Sequence, residues 1–248
     1  MLLRRVIEQV KAQNWTAVAL DFVIVVVGVF IGIQVSNWNA ARTDAEAEIY
    51  LINRLKNDLH GIRVALKRDD ELVLRMHEGW IGALRALERC EAAPEHAEAI
   101  SHSFSQYQRS FSPEIQRSAY DEMKATGAFS RLPDTTLQND ITQLYTELES
   151  QTQATLGDRE NQLAAGRILW KNVLFSFASD DPKEADFDAG ITTDFDPLEH
   201  CDNRELRGAI WEMVDLNRDW LSRSAYYADT IDRILSRLEE AEQCSSGA

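Results

Sequence analysis

Asp21 lies four residues past Ala17 in an apolar run, AVALDFVIVVVGVFIGIQV, that ends at Val35. A carboxylate in such a run can carry a proton, provided burial raises its pKa and a partner shields it, or it can bond to a second helix. So close to the start of the run it can also reach the lipid headgroups and stay ionised. Gly28 and Gly32 form a GxxxG pair, which lets two helices approach closely, and Gln34 puts a hydrogen-bonding group near the other end. Gly28, Gly32 and Gln34 are therefore candidates for membrane-helix association, and Asp21 for a proton-handling or interhelical role.

The rest of the sequence is poor in recognisable chemistry. It contains no GxxxxGK[ST], HExxH, GxSxG, CxxC or GxGxxG. His60 and His77 point in different directions on their helix, and His96 and His102 do not converge, so all four read as surface residues. Glu199-His200-Cys201-Asp202 is the densest group of metal-binding types, but adjacent residues seldom reach one ion together. Asp186-Phe187-Asp188 and Asp194-Phe195-Asp196 repeat an acid-aromatic-acid pattern without the EF-hand spacing, which reads as a solvated acidic loop. No catalytic residue, cofactor-binding residue or metal ligand is assigned, and no cofactor is expected. A formal charge of −15 with no basic stripe beyond the first turns argues against nucleic acid as a partner.

Three long helices must position whatever the chain does. From Ile52 the apolar residues recur at alternating intervals of three and four: Leu55, Leu59, Ile62, Leu66, then Val73, Met76, Trp80, Ala83 and Leu87, with Asp69 as the charged interruption. About five heptads in one register predict a helix of about 50 residues, continuous or nearly so with the apolar run. The same alternation returns in Leu206, Ile210, Met213, Asn217, Trp220, Ser224, Tyr227, Ile231, Ile234 and Leu238, where the polar Asn217 and Ser224 set register. A third helix is predicted from about Pro133 to Phe177, with Leu137, Ile141, Leu144 and Leu148 on one face. Shorter helices are predicted over Glu95 to Gln108 and Pro113 to Thr126, the second stopped by Gly127. The long irregular stretch is Ser179 to Asp202. The fold class is all-α, a transmembrane helix continuing into a helical stalk and an antiparallel bundle.

The apolar run has the length of a bilayer core and is bracketed by Trp15 and Trp38, a residue type that favours the interfaces. Trp38 and Asn39 occupy the stretch where a leader peptide would carry its small-residue cleavage site, so the run reads as a retained anchor. Arg4, Arg5 and Lys11 precede it, and only Arg42 follows closely. The positive-inside rule then gives a cytoplasmic tail over 1–15, a span over 16–38, and an extracytoplasmic bundle over 39–248 with an acidic loop at about 179–202. In a bacterium with two membranes the bundle would be periplasmic.

Leu20 to Arg42, LDFVIVVVGVFIGIQVSNWNAAR, resembles the opening of a family of bacterial single-pass membrane proteins catalogued only as a domain of unknown function. In that family an acidic residue precedes a Val/Ile-Gly run ending in Q-[VI]-x-N-W-N, and here Asp21, Gln34, Asn37, Trp38 and Asn39 hold those places. Ser118 to Gly127, SAYDEMKATG, is similar to a second stretch of the family and reads as a structural joint with a capped end. The resemblance implies topology and no activity.

Three cysteines are an odd count for an oxidising compartment. Cys90 lies at the far end of the first long helix, and Cys201 just precedes a final helix that must run back. These two are expected to pair and Cys244 to stay free. The function these features fit is a membrane-anchored scaffold, sensor or interaction protein without evident catalysis. Its expected partners are membrane lipid, a second copy of itself, and a multi-span membrane protein. The alternative is the small subunit of a proton-driven membrane complex working through Asp21.

Overall fold

The computed structural model describes residues 15–132, 134–177 and 191–246. Arg4, Arg5, Lys11, Pro133 and the acidic segment 178–190 lie outside the described residues, as do the side chains of Asp21 and Cys244. Among the described residues the elements are α1 (Trp15–Arg89), α2 (Ala97–Ser105), α3 (Ser118–Thr126), α4 (Thr135–Asn172), β1 (Leu174–Phe177), β2 (Ile191–Asp194), α5 (Pro197–His200) and α6 (Arg204–Ser246). Short 3₁₀ turns stand at Pro94–His96 and Phe129–Arg131. The chain divides into two units, Met1–Leu51 and Ile52–Ala248.

In the first unit α1 is exposed over 22–47. From Phe22 it is long and apolar enough to cross a membrane, and none of the apolar stretch is buried. Phe22 is 69% exposed, Phe30 60% and Ile33 52%.

The second unit is an antiparallel bundle of α1 from Ile52 onward, α4 and α6. Its seams follow the heptads. Leu55, Leu59, Ile62, Leu66, Val73, Met76, Trp80, Ala83 and Leu87 of α1 are buried, and so is every seam position of α6 from Leu206 to Leu238. Antiparallel order is fixed by cross-helix bonds: Arg63 donates to Asp232, Trp220 and Ser224 to Asp70, and Arg237 to Asp134 and Asp140. One apolar cluster is built on Met76, Trp80, Phe104, Leu169, Ile210 and Met213; its buried members stop at Met76 on α1, Ala165 on α4 and Val214 on α6, with Leu72 and Leu216 half-buried at its edge.

Four predicted boundaries move. The third helix ends at Asn172 instead of Phe177, because Val173 turns extended (φ −128°, ψ 132°) and Leu174–Phe177 pairs antiparallel with Ile191–Asp194. The strand Ile191–Asp194 and the turn of α5 lie inside the stretch read as irregular; α5 begins at Pro197, with the Asp196 carboxylate accepting from Leu198 N–H. The helix expected over Glu95 to Gln108 is a 3₁₀ turn at Pro94–His96 followed by α2. The helix expected from Pro113 starts at Ser118, where Asp58 of α1 accepts from the Ala119 amide. Gly127 ends it in the left-handed region at φ 74°, a conformation glycine adopts without penalty.

Candidate functional site

The candidate membrane site lies in the first unit. Gly28 and Gly32 have open space on all sides, with nothing within 4 Å of an added β-carbon, and Gln34 is exposed. A helix face without side chains leaves its backbone free for a close neighbour. Asp21 falls within α1, and its side chain lies outside the described residues.

At one end of the bundle Cys90 and Cys201, separated by 111 positions in sequence, are joined by a disulfide with Cα atoms 5.2 Å apart. Cys90 ends α1 with φ 54°, and Glu91 N–H reaches back to Ala86 O at 3.2 Å, the closing bond of a Schellman motif. Glu199, His200 and Asp202 do not assemble with Cys201; no group of three metal-binding side chains exists among the described residues. Arg207 also ties this end, donating to Leu87 O and Cys201 O.

The SAYDEMKATG segment is α3 with its cap. Arg117 provides no side-chain cap, and Asp58 of α1 accepts instead from Ala119 N–H (3.0 Å) and Ser118 Oγ (3.4 Å). Arg54 pairs with Glu122, and Tyr120 stacks on Tyr145 of α4, centroids 4.4 Å apart, and edge-on against Phe129. Burial raises the Tyr145 hydroxyl well above the usual phenol range, and it donates to Gln116 O. The segment is a three-way joint between α1, α3 and α4.

Midway along the bundle the apolar packing is interrupted. Between Leu66 and Met76 on α1, Leu148 and Ala165 on α4, and Tyr227 and Val214 on α6, Val73 and Trp220 are the buried apolar residues; Gln151, Gln162, Asn217 and Ser224 are buried beside them. Asn217 is 7% exposed, and its Nδ2 has no partner among the described residues. It lines a cavity of about 40 Å³ with Gln151, Gln162, Phe111 and Trp220, room for a few water molecules. Gln162 donates to Tyr107 O and Arg109 O, and Arg223 to Gln151 Oε1.

The sequence assigned the charged interruption of α1 to Asp69. Asp69 pairs with Arg68 of its own helix, and Asp70 makes the interhelical bonds. The missed signal is a second heptad row, Arg63, Asp70 and His77, flanking the apolar one. His77 and His102 are also half-buried instead of superficial, each with one ring nitrogen shielded from solvent.

An uncovered apolar helix with a helical bundle defines an α-helical protein with, among the described residues, one helix long and apolar enough to cross a membrane. Residues 21–152, more than half of the chain, match the family described as "Family of unknown function (DUF6090)", and the chain belongs to that family. No curated protein and no solved structure matches it.

Proposed function

We propose that the chain is a single-pass inner-membrane protein of a bacterium with two membranes. In this reading 1–15 form a cytoplasmic tail, 16–38 cross the bilayer, and 39–248 form a periplasmic bundle that serves as a scaffold or sensor. One observation carries the reading: the exposed apolar face of α1 from Phe22 to Val35 runs all the way round the helix. Soluble proteins rarely expose so large a continuous apolar surface, and its length suits a bilayer. The Arg4, Arg5 and Lys11 excess supports the orientation. So does the Cys90–Cys201 bond, since disulfides persist in oxidising compartments. The buried polar groups of the bundle bind its helices to one another, which suits an interaction module.

Alkaline phosphatase fused after Ala248 should be active in a bacterial host, and a fluorescent protein at the same place dark. Bright fluorescence would reverse the orientation. Self-association through the span is the second part of the proposal, on Gly28, Gly32 and Gln34. Gly28→Ile combined with Gly32→Ile should weaken the dimer band seen on crosslinking in membranes. A wild type that crosslinks only as monomer would remove this part and leave the anchor intact.

A further inference from the structure

The bond between Cys90 and Cys201 joins an exposed residue to a half-buried one. Cys90 stands in the left-handed region at φ 54°, the one non-glycine residue with a positive φ among the described residues. A side chain is strained in that conformation, and the position just past a helix that requires it is ordinarily given to glycine, as Gly127 is after α3. Strained or exposed disulfides are the ones that thiols reduce most readily. We propose that Cys90–Cys201 is a reducible clasp: a dithiol reductant attacks it at Cys90, and its opening loosens one end of the bundle while the rest stays folded.

One thiolate of the reductant attacks Cys90 Sγ, forming a mixed disulfide and breaking the bond to Cys201, whose Sγ takes the electron pair. The second thiolate of the reductant then attacks the reductant's own sulfur in the mixed disulfide, closes to a cyclic disulfide and releases Cys90. Two electrons and two protons pass from the dithiol to the protein. Exposure selects Cys90 as the residue attacked, and the surroundings favour Cys201 as the leaving one. Arg207 donates to Cys201 O at 2.7 Å, which sets a positive charge beside that residue, and its Nε, shielded from solvent, has no partner among the described residues. A cation near a sulfur stabilises its thiolate. Once protonated, the Cys201 thiol has an acceptor at hand, for Leu198 O stands 3.3 Å from its Sγ.

The opening is bounded by contacts on both sides. Freed from the bond, Cys90 can leave the left-handed region, and the Glu91 N–H to Ala86 O bond breaks with it. Further on, α2 stays docked, because Ser103 donates to Met76 O of α1. On the other side α6 stays docked on α4: Asn203 Nδ2 donates to Asn172 Oδ1 at 2.7 Å, while Asn203 Oδ1 accepts from Leu206 N–H. The part that loosens is therefore the last turn of α1 with residues 90–93, together with α5 and the turn that follows it.

The test uses the full chain in detergent, with Cys244→Ser to remove the third thiol, dithiothreitol as the reductant and no denaturant. Cys90 and Cys201 should become alkylatable while the helical circular dichroism persists. Amide exchange should rise at least about tenfold over 86–93 and 197–202, the constraint of a closed loop being worth more than one decade. Over 55–62 and 231–238 it should not change. A bond that stays intact until the helical signal is lost overturns the clasp, as does exchange that rises throughout the bundle or nowhere. Glutathione, a monothiol, traps the first step: samples quenched early in acid should carry the adduct on Cys90 by peptide mapping, and an adduct on Cys201, or equally on both, contradicts the assigned attack. A pair of variants isolates the strain. Cys90→Gly with Cys201→Ser should exchange more slowly over 86–93 than Cys90→Ser with Cys201→Ser, since glycine keeps the left-handed cap without a bond; equal or faster exchange would sink the proposal.

Discussion

Replacing Cys90 and Cys201 together by serine should lower the unfolding free energy of the bundle by about 2–4 kcal/mol, the typical contribution of a disulfide closing a long loop. The bond joins the end of α1 to the turn before α6 across 111 positions, so its loss restores a large conformational freedom to the unfolded chain. It also releases the end of the bundle where Arg207 holds the Leu87 and Cys201 carbonyls. Urea unfolding of the full chain in detergent, followed by helical circular dichroism, measures the change. Cys244→Ser should leave the midpoint where it is. If Cys90 in the native, unreduced protein reacted with an alkylating reagent, the pairing would not hold in solution.

Gly79→Ala should cost about 1–3 kcal/mol by overpacking, while Gly208→Ala, also within a helix, should gain up to about 1 kcal/mol from helix propensity. The signs differ because the surroundings differ. A β-carbon at Gly79 would overlap the Ala99 carbonyl oxygen and Ser103 Oγ, where α2 lies directly on α1. Ser103 holds that contact by donating to Met76 O and Ala99 O, both at 2.8 Å, so α2 would have to lift from α1 to make room. At Gly208 nothing lies within 4 Å. Denaturation midpoints of the two variants, measured side by side, test the close approach; a neutral Gly79→Ala would contradict it.

The long helices were legible because a heptad seam repeats its signal over many turns. Leu55 to Leu87 and Leu206 to Leu238 each leave one consistent face, and Gly127 marks a helix end through backbone conformation alone. The Cys90 and Cys201 pairing followed from the directions in which two antiparallel helices must run. The β1–β2 pairing left no such trace. Leu174–Phe177 and Ile191–Asp194 are too short for a period to show, and their partnership depends on a packing surface: Thr193 is held by Ser101 of α2 through its amide at 3.3 Å and its hydroxyl at 3.0 Å. The start of α3 was misread for a related reason, since Pro113 is a good local signal and Asp58 is a distant one. Asp70 was missed beside Asp69 because it belongs to the row of Arg63 and His77 that flanks the apolar one, and a reading of the apolar row alone passes over it.

The capping of α3 also has a bearing on the order of folding. A nine-residue helix is marginal on its own in water, and this one lacks a side-chain cap from its own N-terminal neighbour. The acceptor for its Ala119 amide, in the first turn, is Asp58, 61 positions earlier in the chain. Closing that loop costs entropy before the contact returns anything, so the helix gains its cap only when α1 is already formed and α3 has docked on it. The SAYDEMKATG segment is thus a conditional element: its helicity reports the arrival of tertiary structure, and it should appear late, together with the Tyr120–Tyr145 stack that fastens it to α4.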